Sequence, residues 1–168
     1  MQLTTRKIVF IGIMGALTII LGVTGLGLVP VPTPAGRATI LHVPTIIAAI
    51  LEGPVVGFFI GLIFGVHSFL TAPSALAKDP FVAILPRLFI GVVAYYAYQL
   101  GRKNTFLGSI LAAVAGTLTN TVGFLSMAVI QGYLTLKVAG GIAVVHGLPE
   151  MVVAVLIVVA LVKVLQKN

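Results

Sequence analysis

A chain of 168 residues that is 60% hydrophobic and only 8% charged has too little polar surface to enclose a water-soluble core. Ten lysines and arginines against three acidic residues give a net charge of +7, yet no basic stripe is present to grip phosphates, so the excess reads as membrane topology. The lack of cysteine excludes disulfides, thiolate metal sites and cysteine nucleophiles.

In lipid, every backbone polar group must be paired inside helices or a closed barrel. The apolar runs here are continuous rather than alternating with period two, which predicts helices. The first predicted helix covers residues 7–28. At about 1.5 Å per residue it is long enough to span. Arg6 and Lys7 ahead of an apolar run could open a signal peptide, but the run exceeds a usual h-region and no small-residue cleavage pattern follows, so it reads as a retained helix. Pro30, Pro32 and Pro34 then forbid helix and favour a stiff, extended segment up to Arg37. A second helix begins between residues 39 and 44 and stops at Glu52, before Gly53 and Pro54. It is short for an unaided crossing. The third helix, 54–70, carries Pro54 in its first turn. A polar loop over 71–80 leads to the fourth, 81–100, and a tight turn at 101–104 to the fifth, 106–130. A loop over 131–141 precedes the sixth, 142–165. No linker or long tail interrupts the pattern, so residues 1–168 read as a single membrane-embedded domain.

Six crossings put both ends of the chain on one side, and Arg6, Lys7, Arg102, Lys103, Lys163 and Lys167 with them. A re-entrant second helix would place Arg102 and Lys103 opposite Arg6 and Lys7, against the positive-inside bias. The expected fold is therefore an all-α integral membrane protein with six transmembrane helices and both termini cytoplasmic. The outer loops, 29–41, 71–80 and 131–141, exceed the inner turns in length, and long loops on a rigid scaffold commonly build a binding site.

Few side chains carry chemistry. Gly53, Gly57, Gly61 and Gly65 bare one face of the third helix, for packing within the bundle or against a partner subunit. Gly12 and Ala16 form a second small pair, open to the same two readings. His146 and Glu150 flank Pro149 near the outer end of the sixth helix. The proline makes the local geometry irregular, so they need not share a face; they read as a polar pair lining an outer cavity or as caps of helix ends. A metal site lacks further ligands, since His42 and His67 lie on other segments. An ionisable group at membrane depth is a functional candidate by default, and Lys137 or Arg87 could partner Glu150. Arg87, after Pro86, either snorkels outward or points into the bundle and binds an anion. Arg37, Lys78 and Lys137 lie in outer loops; together with Arg87, against Asp79 and Glu150, they favour a small anionic or zwitterionic ligand. Thr117, Thr119, Asn120 and Thr121 make a polar patch in the fifth helix, suited to cross-helix hydrogen bonds or to ligand contact. Tyr95, Tyr96 and Tyr98 fit an interfacial aromatic belt. Glu52 stands at an inner turn, where it reads as structural.

No nucleophile–base pair, phosphate loop or carboxylate pair stands out, so neither an enzyme nor an ATP site is expected, and no metal or cofactor. A binding subunit and a stand-alone secondary transporter or channel remain. The latter should carry ionisable residues along a through-path, whereas the inner half has little beyond Asn120 and hydroxyls.

The six-span layout, the Pro32-Thr33-Pro34-Ala35-Gly36 stretch and the run from His42-Val43-Pro44 through Glu52-Gly53-Pro54 to Gly57 resemble the substrate-binding S components of energy-coupling-factor (ECF) vitamin transporters. The resemblance covers essentially the whole chain, and the His-Val-Pro…Glu-Gly-Pro…Gly run is its most specific part. It implies that Gly12 and Ala16 match an Ala-x-x-x-Ala motif that docks on a transmembrane T component, with glycine in place of the first alanine. It implies further a vitamin enclosed by the first outer loop and helices four to six, two cytoplasmic ATPases as partners, toppling of the S component during uptake, and a prokaryotic cell membrane as location. The cationic outer side fits pantothenate, a carboxylate, better than hydroxymethylpyrimidine, which Asn120, Glu150 and aromatic residues could hold instead. The expected substrate-binding set is Arg37, His42, Arg87, Asn120, Lys137, His146 and Glu150.

Overall fold

The computed structural model describes residues 3–30, 37–72 and 74–166, with residues 29, 30, 37, 38 and 75 described by backbone alone. The proline-rich stretch 31–36, the Arg37 side chain and Lys167 thus lie outside the described residues. The elements are α1 (Thr5–Val23), a hairpin of β1 (Leu28–Pro30) and β2 (Arg37–Thr39), α2 (Val43–Glu52), α3 (Pro54–Thr71), a 3₁₀ turn (Ala75–Lys78), α4 (Pro80–Ala83), α5 (Leu85–Leu100), α6 (Thr105–Ile130) and α7 (Leu136–Leu165). The strands pair antiparallel, Val29 opposite Ala38. With α4 and α5 counted as one broken rod, there are six helical rods, as expected.

Five rods are long and apolar enough to cross a membrane: α1, α3, α4–α5, α6 and α7. The exception, α2, has ten residues. At about 1.5 Å per residue it reaches only half-way through a hydrocarbon core. Its solution is burial: every residue from Val43 to Ile50 is shielded, so the helix is apolar all round and serves as the core of the bundle. Gly53 ends it at φ 99°, a conformation that favours glycine, and Pro54 starts α3 at once.

The rod ends sort into two groups. Arg6 at the start of α1 pairs with Glu52 at the end of α2, 2.5 Å apart. The Tyr98 hydroxyl near the end of α5 hydrogen-bonds the Gln166 amide beyond α7 at 3.0 Å. One end of the bundle therefore gathers the start of α1, the α2–α3 and α5–α6 turns and the end of α7, and with them the basic residues Arg6, Lys7, Arg102, Lys103 and Lys163. The hairpin, the 3₁₀ turn and the α6–α7 turn lie at the other end, where the Tyr133 hydroxyl donates to Asp79 at 3.3 Å.

Three boundaries depart from the sequence pattern. The first helix stops at Val23 rather than residue 28, because Gly25 takes φ 73° and ends the last turn. The last helix starts at Leu136 rather than 142: the Thr135 hydroxyl caps it by accepting from Val138 N–H, and Gly140 and Gly141 are carried inside the helix. Lys137 thus belongs to a helix rather than a loop. The fourth rod breaks at Ile84, because Pro86 cannot donate a helical hydrogen bond to Val82.

Of the glycine stripe, Gly57, Gly61 and Gly65 pack within the chain, whereas a Cβ on Gly53 would meet no neighbouring atom within 4 Å among the described residues. A Cβ on Gly57 would come within 2.8 Å of Gly91 Cα, one on Gly65 within 3.0 Å of Ile84 Cα, and one on Gly61 would collide with the Arg87 carbonyl oxygen. Thus α3 and α5 touch backbone to backbone.

Candidate functional site

The close α3–α5 contact fixes the base of Arg87, and the α4–α5 break dictates its direction. Arg87 N–H bonds the Ile84 carbonyl, three residues back, so the carbonyls of Val82 and Ala83 lack their usual helical donors. The Arg87 guanidinium turns inward and donates Nη1 to both. Its faces lie against two rings, Phe64 from α3 with Cζ 4.8 Å from the centroid and Phe124 from α6 at 5.2 Å. Arg87 is 8% exposed, and its Nε has no partner among the described residues. Rather than snorkelling, the arginine is held by its Nη1 and its flat faces, with donors left over.

Across from it Glu150 projects from α7, also buried. Its Oε1 accepts from the backbone N–H of Thr39 in β2 at 3.2 Å, and its Oε2 from the Thr121 hydroxyl of α6 at 3.1 Å. These two donors, not Arg87 or Lys137, are its direct partners. The only ion pair within 4 Å among the described residues is the distant Arg6–Glu52. Two buried opposite charges that stop short of contact are costly to keep apart unless something polar bridges them.

Between them lies a cavity of about 210 Å³, lined among others by Thr39, Arg87, Asn120, Phe124, His146 and Glu150. Asn120 Oδ1 is buried and has no donor among the described residues. At the head of α2 stands His42, fully buried, its Nε2 2.9 Å from the Thr117 hydroxyl and its Nδ1 without a partner. The α7 helix passes through Pro149 without interruption, so His146 and Glu150 do share a face, one turn apart.

Of the seven residues expected to bind, four line this cavity: Arg87, Asn120, His146 and Glu150. His42 is buried beside α6 and outside the lining set, Lys137 is exposed on the first turn of α7, and the Arg37 side chain is undescribed. Sequence reasoning passed over Thr39, Phe64, Phe124, Leu125 and Ile142. Thr39 acts through its backbone, and nothing in the pattern distinguishes these apolar residues from ordinary core. Thr121 was visible only as part of a polar patch.

The arrangement offers an unpaired cationic donor at one wall and acceptors at the others. Such a wall set is chemically complementary to an anionic or strongly accepting group at Arg87 and to hydrogen-bond donors at Glu150 and Asn120. Among the described residues, no group of three or more His, Asp or Glu side chains could hold a metal. A larger hollow of about 350 Å³ lies between the ends of α6 and α7 that adjoin the turn joining them. It is walled by Leu, Val, Ile, Ala and Gly with Ser126 and offers no charge to a polar ligand.

Comparison with known proteins agrees with this picture. The profile of the family described as "ECF transporter, substrate-specific component" matches residues 6–162. The chain is 34% identical to the pantothenic acid transporter PanT of Lactococcus lactis subsp. cremoris (strain MG1363), over 78% of this chain and 79% of that protein. Among solved structures, the S component of a bacterial ECF transporter superposes with a TM-score of 0.68 and 19% identity, covering 96% of both chains. That last likeness establishes the fold.

Proposed function

The chain belongs to the substrate-specific components of ECF transporters, and we propose that it captures pantothenate in the Arg87–Glu150 cavity. It is a multi-pass plasma-membrane protein and a transport subunit rather than an enzyme. The observation that carries the substrate is the cavity wall itself. Arg87, whose Nε has no partner among the described residues, matches the carboxylate of pantothenate, while Glu150 and Asn120 match its hydroxyl and amide N–H groups. A volume of about 210 Å³ suits a ligand smaller than drug-sized molecules. The name of the L. lactis relative points to the same substrate.

In this reading the end that gathers Arg6, Lys7, Arg102, Lys103 and Lys163 faces the cytoplasm, both termini included, because basic residues are retained there. The cavity then opens toward the outside. Gly12 and Ala16 lie exposed on α1, with no atom of the chain within 4 Å of where a Gly12 Cβ would stand. They form the surface on which a T component docks, itself coupled to two cytoplasmic ATPases that power uptake.

Equilibrium binding of radiolabelled pantothenate to the purified protein tests the substrate. Saturable binding near one per chain is expected, and Arg87→Ala should weaken it more than tenfold. Arg87→Lys should not restore it, because an ammonium lacks the planar fork and the stacking between Phe64 and Phe124. An unaltered dissociation constant in Arg87→Ala would remove this arginine from the site; no binding by the parent protein would remove the vitamin.

A further inference from the structure

The polar cavity and the bilayer-facing seam between α6 and α7 share walls. The 210 Å³ cavity and the 350 Å³ apolar groove have Leu125 in common. The same cavity and a second hollow of about 160 Å³, further along the seam, have Thr121 in common. These two residues stand one helical turn apart on α6. Leu125, 6% exposed, lines both voids. Thr121 is two-sided: its hydroxyl donates into the cavity to Glu150, and its Cγ2 lies 3.4 Å from where a Gly147 Cβ would stand. The α7 residues that line the two hollows include the small Ala139, Gly140, Ala143 and Gly147 beside the larger Leu136, Val144, Leu148 and Met151.

We propose that Thr121 and Leu125 form a septum, one side chain thick, that separates the ligand cavity from the lipid side and thereby determines specificity. On this view the site rejects molecules with an apolar tail not for lack of nearby volume but because Leu125 closes the way to it. Truncating Leu125 joins about 210 Å³ of polar space to about 350 Å³ of apolar groove. The merged site suits an amphipathic carboxylate, its head against Arg87 and its tail in the α6–α7 groove. Keeping lipid chains away from the buried charges of Arg87 and Glu150 is the second task of the same wall.

The ligand half of the test rests on the pantothenate reading, whereas the accessibility half does not. The chain contains no cysteine, so Asn120→Cys places a single thiol in the cavity. In liposomes, Leu125→Ala should raise its labelling rate by a membrane-soluble alkyl maleimide at least tenfold, with Leu125→Val intermediate. Unchanged labelling in both overturns the septum whatever the protein binds. In parallel, binding of pantothenate is compared with that of an analogue carrying a butyl ether on its terminal hydroxyl. The ratio of the two dissociation constants should move at least tenfold toward the analogue in Leu125→Ala. Val129→Ala, which widens the groove alone, should leave the ratio as it is. A ratio within twofold of the parent in Leu125→Ala overturns the specificity role. Enhanced labelling without any pantothenate binding would uphold the septum and discard the vitamin.

Discussion

The α3–α5 and α6–α7 seams are built on opposite plans. In the first, Gly57, Gly61 and Gly65 let two backbones touch. In the second, glycines and alanines of α7 face α6 across hollows of about 350 and 160 Å³, and a Cβ on Gly140 would meet no neighbouring atom within 4 Å among the described residues. Small residues thus do two different things. Where both helices present them against each other's backbone they weld a seam; where the neighbour's side chains do not fill the gap they leave one open. The proposed binding cavity lies between the welded floor, which holds Arg87, and the open wall, which carries His146 and Glu150.

The largest effect should come from attacking the welded seam. Gly61→Leu drives a side chain into the Arg87 carbonyl, where backbone rather than a flexible tip must yield. Overpacking typically costs about 1–3 kcal/mol and more when the backbone cannot move. Loss of folded protein in size-exclusion chromatography is expected. A monodisperse product with normal pantothenate binding would mean that α3 and α5 are not locked and that Arg87 is positioned by other means.

An intermediate and selective effect is expected on α1, where the same four-residue spacing meets no internal neighbour. Gly12 and Ala16 are exposed, whereas Gly15 packs against Ile63 and Gly22 against His67. Gly12→Leu and Ala16→Leu should therefore leave pantothenate binding intact while abolishing co-purification with the T component and its ATPases. Equal loss of both would place these residues in internal packing and erase the contrast between exposed and welded small pairs.

How far these uses could be read in the sequence follows from the same contrast. Continuous hydropathy, Gly53-Pro54 and the basic pairs were enough for six rods and for their grouping by end. Glycine spacing showed that a seam exists but not with which helix, because an absent side chain carries no address. Boundaries failed where local signals compete. Gly140 and Gly141 look like a loop, yet the Thr135 cap and the apolar run that follows draw them into α7. In the cavity, the buried charges were conspicuous because a charge is rare at membrane depth, so Arg87 and Glu150 stood out. Phe64, Phe124 and Leu125 did not, since an aromatic clamp or a septum is made of the residue types that fill every core. Lys137 illustrates the converse: charge at the right end of the bundle is no measure of reach, and the helix that holds it turns it to the surface.

The smallest effect should come from the open seam. Gly140→Leu places its Cβ where no neighbouring atom among the described residues lies within 4 Å. Within a helix the replacement removes a glycine penalty of about 1 kcal/mol, and the new apolar group meets groove or lipid. Thermal unfolding in detergent should shift by no more than about 4 °C, a figure that corresponds to roughly 1–2 kcal/mol for a chain of this size. A shift upward would show that filling the groove adds packing without obstructing anything. A large fall, comparable to that at Gly61, would mean that the α6–α7 seam closes on itself in the membrane. In that case the distinction between a welded floor and an open wall would collapse, and Leu125 would partition the cavity from protein rather than from lipid.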